Sequence, residues 1–136
     1  MKPFVHAALC VLLASAISAA AEDQREPYVA EVGADGVQRV HIIGGDYFFK
    51  PAHVIVKINM RVELSLGKEK GIVPHSFVID APDAGMAVDE ELGADVKTVS
   101  FTPSTAGRFP FYCRNRLLFF KSHRDKGMKG ILEVVE

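Results

Sequence analysis

Cysteine is scarce in this sequence, which has Cys10 and Cys113 and no other among its 136 residues. Neither sign of charge is in excess, because 16 basic and 17 acidic residues give a net charge of −1. This balance argues against general nucleic-acid binding, which needs a cationic surface. The sequence also lacks tracts rich in histidine or methionine, which argues against storage of many metal ions. It has no nucleophile elbow, phosphate loop or zinc hydrolase motif that would indicate an enzyme.

The first 21 residues have the three parts of a secretory signal peptide. An early cation, Lys2, precedes an apolar centre at 5–14, and small residues follow. The apolar centre is shorter than the roughly 20 residues that span a bilayer, so we favour a cleaved signal over a membrane anchor. We predict cleavage after Ala21, because Ala19 and Ala21 supply the small side chains that signal peptidase requires. The protein is therefore expected to be exported to the periplasm, without stable membrane insertion.

Removal of the signal would leave 115 residues with Cys113 as their single cysteine. An intrachain disulfide is then impossible. A lone thiol in an oxidising compartment is prone to oxidation and to intermolecular pairing, so Cys113 should be buried or bound by a ligand. The length suits one domain. We divide the chain into a signal peptide at 1–21, a polar lead-in at 22–36 and one domain at 37–136.

Apolar residues in this domain mostly recur with period two, which is typical of half-buried strands. In "HVIVKI", for example, Val54, Val56 and Ile58 share one face. Turn sequences rich in glycine and proline separate such runs. The pattern predicts strands near 38–43, 53–58, 62–66, 75–80, 97–101, 108–113 and 130–135.

No helical period persists long enough to predict a main helix. One short helix is expected in "GMAVDEELGA", residues 85–94, with Ala87, Val88 and Leu92 facing inward. Seven or eight short strands without long helices predict an all-β fold, either an antiparallel sandwich or a barrel.

A single segment, "FYCRNRLLFFKSHRDKGM", contains a thiol, an imidazole and a thioether at Cys113, His123 and Met128. Cys113 ends one predicted strand and the next begins just after Met128, so the three donors share one strand connection. His75, in "GIVPHSF", begins an earlier apolar strand and can join them if that strand is a neighbour. Two imidazoles, a thiolate and a thioether suit copper that cycles between Cu(I) and Cu(II). A structural zinc site would instead offer four Cys or His ligands.

These residues make the sequence similar to the cupredoxins, or type 1 copper proteins. The resemblance rests on "PHSF", "FYC", "SH" and "GM", on "KGILEVVE" at the end, and on "FFKPAHVIVKINMRVELSL", and it covers 47–136. It implies a Greek-key β-sandwich of seven to eight strands. It also implies one copper ion in a plane of His75, Cys113 and His123, with Met128 as a weak axial ligand. Such sites pass single electrons.

The spacing from Cys113 to His123 departs from the family, because nine residues separate them and azurin-like or plastocyanin-like members have far fewer. The insert, "RNRLLFFKS", contains four large apolar residues: Leu117, Leu118, Phe119 and Phe120. Two interpretations stay open. The loop tucks two of these side chains into the sandwich, or it forms an apolar docking patch around an exposed edge of His123.

Basic residues surround this insert, namely Arg114, Arg116, Lys121, Arg124 and Lys126. They suggest a redox protein partner with an acidic docking surface. Six acidic residues at 80–95 are an alternative partner, within the chain or in a second subunit.

The resemblance implies a one-electron carrier between redox partners rather than an enzyme. The alternative is a periplasmic copper-binding protein for copper tolerance or delivery. An enzyme ranks last, because four protein donors leave no open position on the metal.

Around the ligands, Ser76 and Asn115 are placed to tie the ligand segments by hydrogen bonds. For Asn115, ordinary turn polarity is the favoured interpretation. At least some of Phe77, Phe109 and Phe111 should keep the site dry.

Overall fold

The computed structural model describes residues 26–136, so the predicted signal peptide lies outside the described residues. Ten β-strands and one 3-10 turn at Pro82–Ala84 form this part of the chain. Within it, no helix has the length and hydropathy to cross a membrane. In chain order the strands are β1 Tyr28–Val29, β2 Gln38–Gly45, β3 Phe48–Lys50, β4 His53–Lys57, β5 Val62–Lys68, β6 His75–Ala81, β7 Met86–Leu92, β8 Lys97–Phe101, β9 Gly107–Tyr112 and β10 Lys129–Val135.

The strands form two sheets that pack into a sandwich. One sheet has the order β1-β4-β10-β9-β6-β7 and the other has the order β3-β2-β5-β8. The predicted all-β sandwich is therefore confirmed. The expectation of antiparallel pairing is wrong for three pairs, because β1 and β10 each run parallel to β4, and β2 runs parallel to β5. The chain crosses between the sheets instead of forming hairpins there, so these neighbours are distant in sequence.

All seven predicted strands are present, with ends within two residues of the prediction. The prediction omitted the two shortest strands, β1 and β3, which are too short to display a period. β1 lies within the stretch assigned to the polar lead-in. Its backbone pairs with β4, and the following Ala30 is buried and donates its N–H to Ile55 O at 2.9 Å.

The predicted helix at 85–94 is wrong, since most of that segment forms β7. Met86, Val88 and Leu92 are buried, whereas Ala87 is exposed. β7 pairs with β6 along its whole length, from His75 opposite Leu92 to Ala81 opposite Met86. This pairing satisfies the backbone hydrogen bonds and overrides the helical propensity of Ala, Glu and Leu.

Alternate burial along the strands builds the core. In β4, Val54 and Val56 have almost no exposed surface, while the alternate residues His53, Ile55 and Lys57 are more exposed. Three aromatic rings, those of Phe49, Phe77 and Phe111, contact one another with centroids 5.1 to 5.5 Å apart. Each such buried side chain stabilises the fold by about 1.5–3 kcal/mol.

One buried polar residue joins the two sheets. The Gln38 side chain, on β2, donates to Lys57 O at 3.1 Å and accepts the Lys57 N–H at 2.6 Å, at the end of β4. Gln38 has no exposed surface, so this pair of hydrogen bonds satisfies an amide that would otherwise be costly to bury.

Candidate metal centre

The pairing of β6 with β9 brings the first two predicted ligands together. These strands are antiparallel, with Val78 opposite Tyr112, so the start of β6 lies beside the end of β9. His75 is the first residue of β6, and Cys113 follows the last residue of β9. As a result, Cys113 Sγ lies 4.0 Å from His75 Nδ1.

The third predicted ligand comes from the connection between β9 and β10. His123 Nδ1 lies 3.5 Å from Cys113 Sγ and 3.2 Å from His75 Nδ1. One nitrogen or sulfur atom from each of the three residues lies within 4.8 Å of the others, and all three side chains are buried. Three donors that converge in this way can hold one metal ion. Among residues 26–136, no other group of three or more His, Cys, Asp or Glu donors converges in this way.

Met128 is held next to these residues through its backbone. Its N–H donates to His123 O and its carbonyl accepts the Cys113 N–H, both at 3.0 Å. The side chain is fully buried. It uses space that Gly44 leaves open, because a Cβ atom on Gly44 would lie 3.1 Å from Met128 Cε and 2.7 Å from Leu92 Cδ1. The structure thus brings together the donor atoms of three predicted ligands and fixes the backbone of the fourth beside them.

Two polar residues contact the sulfur of Cys113. The Ser76 N–H points to Sγ at 3.3 Å, and Ser76 Oγ lies 3.7 Å from Sγ and accepts the Arg114 N–H at 3.0 Å. The Cys113 thiol donates to Asn115 Oδ1 at 3.3 Å, and Asn115 O accepts the His123 N–H at 2.9 Å. Ser76 therefore ties two ligand segments together as predicted. The Asn115 side chain contacts a residue two positions away in its own segment, which agrees with its interpretation as ordinary turn polarity.

Burial keeps both imidazoles neutral at neutral pH. It lowers the pKa of His75, and the nearby His123 and Lys68 lower it further against the opposing effect of Asp46. Burial also lowers the pKa of His123, to which Lys126 adds. Metal ligation needs the neutral imidazole, so these environments prepare both rings to bind a metal ion.

The surroundings of the site are dry on the side of the core. Phe77 lies two residues after His75, Phe111 lies two residues before Cys113, and both rings are fully buried. Two of the three phenylalanines expected near the site are therefore buried close in sequence to His75 and Cys113. Phe109, farther along β9, packs against the core and is partly buried.

Tyr47 is a neighbour of the site that no pattern in the sequence predicts. Its ring packs edge-on against His123, with centroids 5.0 Å apart, and against His75 at 6.2 Å. Lys126 Nζ donates to its hydroxyl at 3.2 Å. Tyr47 has a left-handed backbone with φ of 62° in the turn between β2 and β3. The only signal in the sequence was an aromatic residue after the turn "GGD", which does not indicate a ligand neighbour.

A cleft of about 340 Å³ opens beside His123. Its apolar walls include Tyr47, Pro74 and Leu117, and Arg116 and Lys126 also line it. His123 itself is 3% exposed, so the expected exposed edge of this ring was wrong. A partner that enters the cleft would nevertheless reach the residues that contact the ring.

The insert between the ligands points its apolar side chains outward. The exposed fractions are 62% for Leu117, 75% for Leu118, 86% for Phe119 and 51% for Phe120. The interpretation in which two of them tuck into the sandwich is therefore wrong. The insert forms an exposed apolar surface, which is typical of an interaction site.

Some of the basic residues near the insert interact with other residues of the same chain. Arg114 pairs with Asp89 at 2.8 Å and with Glu91 at 2.6 Å, so part of the acidic run is an internal partner, as the alternative interpretation expected. The guanidinium of Arg124 lies 4.2 Å from the centroid of the Tyr112 ring.

No protein-family model and no curated protein matches this sequence. Solved structures do match. The metal-binding domain of the Cu(I)-exporting P-type ATPase CopA of Streptococcus pneumoniae, solved with Cu(I), is 23% identical, with 82% of this chain and 97% of that chain covered and a TM-score of 0.62. Dithionite-reduced auracyanin from Roseiflexus castenholzii is 19% identical, with coverage of 72% and 97% and a TM-score of 0.57.

A third similar structure is the periplasmic domain of cytochrome oxidase subunit II from Bradyrhizobium japonicum. It is 14% identical, with 79% of this chain and 86% of that chain covered and a TM-score of 0.52. At such low identities these similarities establish the fold, which is the cupredoxin-like β-sandwich that the sequence resemblance implied.

Proposed function

We propose that this protein binds one copper ion through His75, Cys113 and His123, with Met128 as a weak fourth ligand, and carries single electrons between redox partners in the periplasm. One observation carries the proposal. Three donor atoms, two from imidazoles and one from a thiol, lie within 4.8 Å of one another at the buried end of a cupredoxin-like sandwich.

The chemistry of the donors favours copper over the common alternatives. A trigonal set of two histidines and one cysteine with a distant methionine is typical of copper sites that transfer electrons. A structural zinc site would use a fourth Cys or His, and the fourth candidate here is Met128, whose side chain is buried. A copper ion bound by this set supplies a one-electron couple between Cu(I) and Cu(II).

The protein's own residues prepare the site for this role. The Ser76 N–H points at the Cys113 sulfur at 3.3 Å and helps to fix the position of this donor. The two histidines are neutral and fixed, one by the start of β6 and the other by its N–H to Asn115 O. Strand ends and backbone hydrogen bonds therefore hold the donor atoms in the same positions for Cu(I) and for Cu(II). The geometry of the site would then change little when an electron is gained or lost.

The cleft beside His123 supports exchange with a partner. Its walls are apolar, while Arg116 and Lys126 line it with positive charge. Charges at the rim of a docking surface mainly raise the association rate and lose their effect with salt. We expect a partner that is acidic around an apolar contact, and an exchange rate that falls as ionic strength rises.

Copper delivery is a second candidate function. It is favoured by the similarity to the metal-binding domain of a Cu(I)-exporting ATPase that was solved with Cu(I). A delivery protein would pass Cu(I) to an acceptor while its exchange of electrons with small reagents stayed slow. Rapid electron exchange without net loss of copper would favour the carrier.

The test is the visible and electron paramagnetic resonance spectrum of the mature protein after addition of one equivalent of Cu(II). We expect stoichiometric binding and an intense thiolate-to-copper band, and the energy of this band would report how the long insert affects the geometry. The same protein loaded with zinc is the control and should be colourless. If the copper-loaded protein has no such band, Cys113 is not a ligand and the proposal is wrong.

A further inference from the structure

The tip of the insert is a β-turn built entirely from apolar residues. The Phe120 N–H donates to Leu117 O at 3.0 Å, and Leu118 has a left-handed backbone with φ of 48°. Turns of this kind ordinarily use Gly, Asn or Asp, because other residues are strained at positive φ. This turn instead places Leu at the strained position and two phenylalanines after it, so the chain retains an apolar tip at a cost in stability.

The tip side chains have little contact with the sandwich. Phe119 and Phe120 stack on each other, with centroids 4.9 Å apart and an interplanar angle of 27°. All four turn residues are at least half exposed. Four contiguous apolar side chains on one turn therefore form an exposed apolar surface. Such a surface suits a deformable apolar medium better than the surface of another folded protein, which would need a matching cavity.

Positive charge flanks the apolar tip on both sides. Arg116 precedes it and Lys121 follows it directly. The only acidic residue of the connection is Asp125, whose carboxylate accepts from Ser122 Oγ at 2.6 Å and lies 3.9 Å from Arg116. Across residues 26–136, no carboxylate lies within ion-pairing distance of Lys121, Arg124 or Lys126. Arg116 and Lys121 therefore place positive charge on both sides of the tip, which is complementary to an anionic surface.

We infer that this loop is a membrane-docking element that inserts Leu118, Phe119 and Phe120 into the headgroup region of an anionic bilayer. Segments that bind at the surface of a bilayer combine Phe or Leu on one side with Lys and Arg around them. Each nearby cation adds attraction to anionic lipid. With so few apolar side chains, the binding is expected to be reversible, as for a single acyl chain.

Docking would also orient the metal centre. Leu117 belongs both to the turn and to the wall of the cleft beside His123. The cleft would then lie close to the bilayer, where a membrane-bound partner can reach it. The inference itself does not rest on copper, because the loop and its charges belong to the polypeptide alone.

The test uses the metal-free mature protein and sedimentation with vesicles. We expect the protein to pellet with vesicles of phosphatidylglycerol mixed with phosphatidylcholine. Binding to vesicles of phosphatidylcholine alone, or at high salt, should be far weaker. The variant with Phe119→Ser and Phe120→Ser should bind at least about tenfold more weakly, because the apolar area that enters the bilayer is lost. Val96→Ser, which changes an exposed apolar residue outside the loop, is the matched control and should bind as the native protein does.

A fluorescence measurement reports insertion directly, because the sequence contains no tryptophan. With Phe119→Trp as the single reporter, emission should shift to the blue on addition of the anionic vesicles. Leu118→Gly is a second binding variant that should remain folded, since glycine accepts positive φ without strain, and it should also bind more weakly.

Three results would overturn the inference. The first is that the native protein does not pellet with anionic vesicles. The second is pelleting without a blue shift or without sensitivity to the loop variants, which would indicate adsorption by charge alone. The third is a concentration-dependent dimer that the Phe119→Ser and Phe120→Ser changes abolish in the absence of vesicle binding, which would mean that a second copy covers the tip. The outcomes are independent of the copper spectrum.

Discussion

His75 Nδ1 and His123 Nδ1 lie 3.2 Å apart, although the two residues are separated by 48 positions in the chain. One ring is fixed by the first position of a strand and the other by the end of a nine-residue insert. The sulfur of Cys113 lies 4.0 Å from the first nitrogen and 3.5 Å from the second. This convergence of two neutral imidazoles on one buried sulfur is the basis for the predictions about the metal centre.

The first prediction concerns Cys113. Replacement of Cys113 by Ser removes the sulfur and leaves the two imidazoles, so the intense visible band of the copper-loaded protein should disappear. Residual Cu(II) binding through His75 and His123 is expected to be weaker and nearly colourless. Absorption and electron paramagnetic resonance spectra measure both effects. Survival of the band in the Cys113→Ser protein would exclude the proposed ligand set.

A second prediction concerns the axial position. The Met128→Leu change keeps the volume and apolar character of a buried residue, so the protein should fold and bind copper with the same stoichiometry. Loss of a weak sulfur donor should raise the reduction potential, because the donor stabilises Cu(II) more than Cu(I). Voltammetry of the two proteins measures the difference. An unchanged potential and spectrum would remove Met128 from the ligand set.

The third prediction tests the hydrogen bonds that link the two sheets. The Gln38→Leu change leaves the N–H and the carbonyl of Lys57 without the partners that they have in the native protein. We expect a loss of about 2 kcal/mol in the free energy of unfolding, which urea denaturation measures. Arg39→Ala is a suitable control, because it removes exposed ion pairs from the adjacent position and should cost much less than the Gln38 change, since water and salt screen such pairs. Equal losses in the two variants would contradict the role given to Gln38.

Much of the fold, and the residues that converge in the candidate site, could be predicted because they depend on local patterns. Period-two burial identified the longer strands, and the position of His75 and Cys113 at strand ends identified them as donors that can meet. β7 could not be recognised, because its Ala, Glu and Leu residues favour a helix in isolation and the pairing with β6 is a long-range effect.

The environment of the site was harder to predict, because it too depends on contacts between residues that are distant in sequence. Tyr47 reaches the histidines through a turn between strands of the opposite sheet, so the sequence around it has no ligand pattern. The outward direction of Phe119 and Phe120 depends on the geometry of one β-turn, which composition does not determine. Sequence therefore indicated which atoms could bind a metal ion, and the structure was needed to show what surrounds them.

The last prediction tests the packing of the Met128 side chain against Gly44. A Cβ atom on Gly44 would lie 2.7 Å from Leu92 Cδ1 and 3.1 Å from Met128 Cε, so Gly44→Ala must displace one or both side chains. Such overpacking of a core costs about 1–3 kcal/mol, which urea denaturation measures. If Met128 moves, the spectrum of the copper-loaded protein and its reduction potential should change as well.

Gly67→Ala is the matched control for that experiment. Gly67 lies on β5, next to β2 in the same sheet, but a Cβ atom there would meet only ordinary contacts, 3.7 Å from His41 Cε1 and 3.8 Å from Val96 Cγ2. The control variant should retain both stability and spectrum. If Gly44→Ala destabilises the fold while the spectrum and the potential stay native, the clash with Leu92 alone accounts for the loss and Met128 has kept its position. If Gly44→Ala costs no more than the Gly67→Ala control, the packing argument itself is wrong.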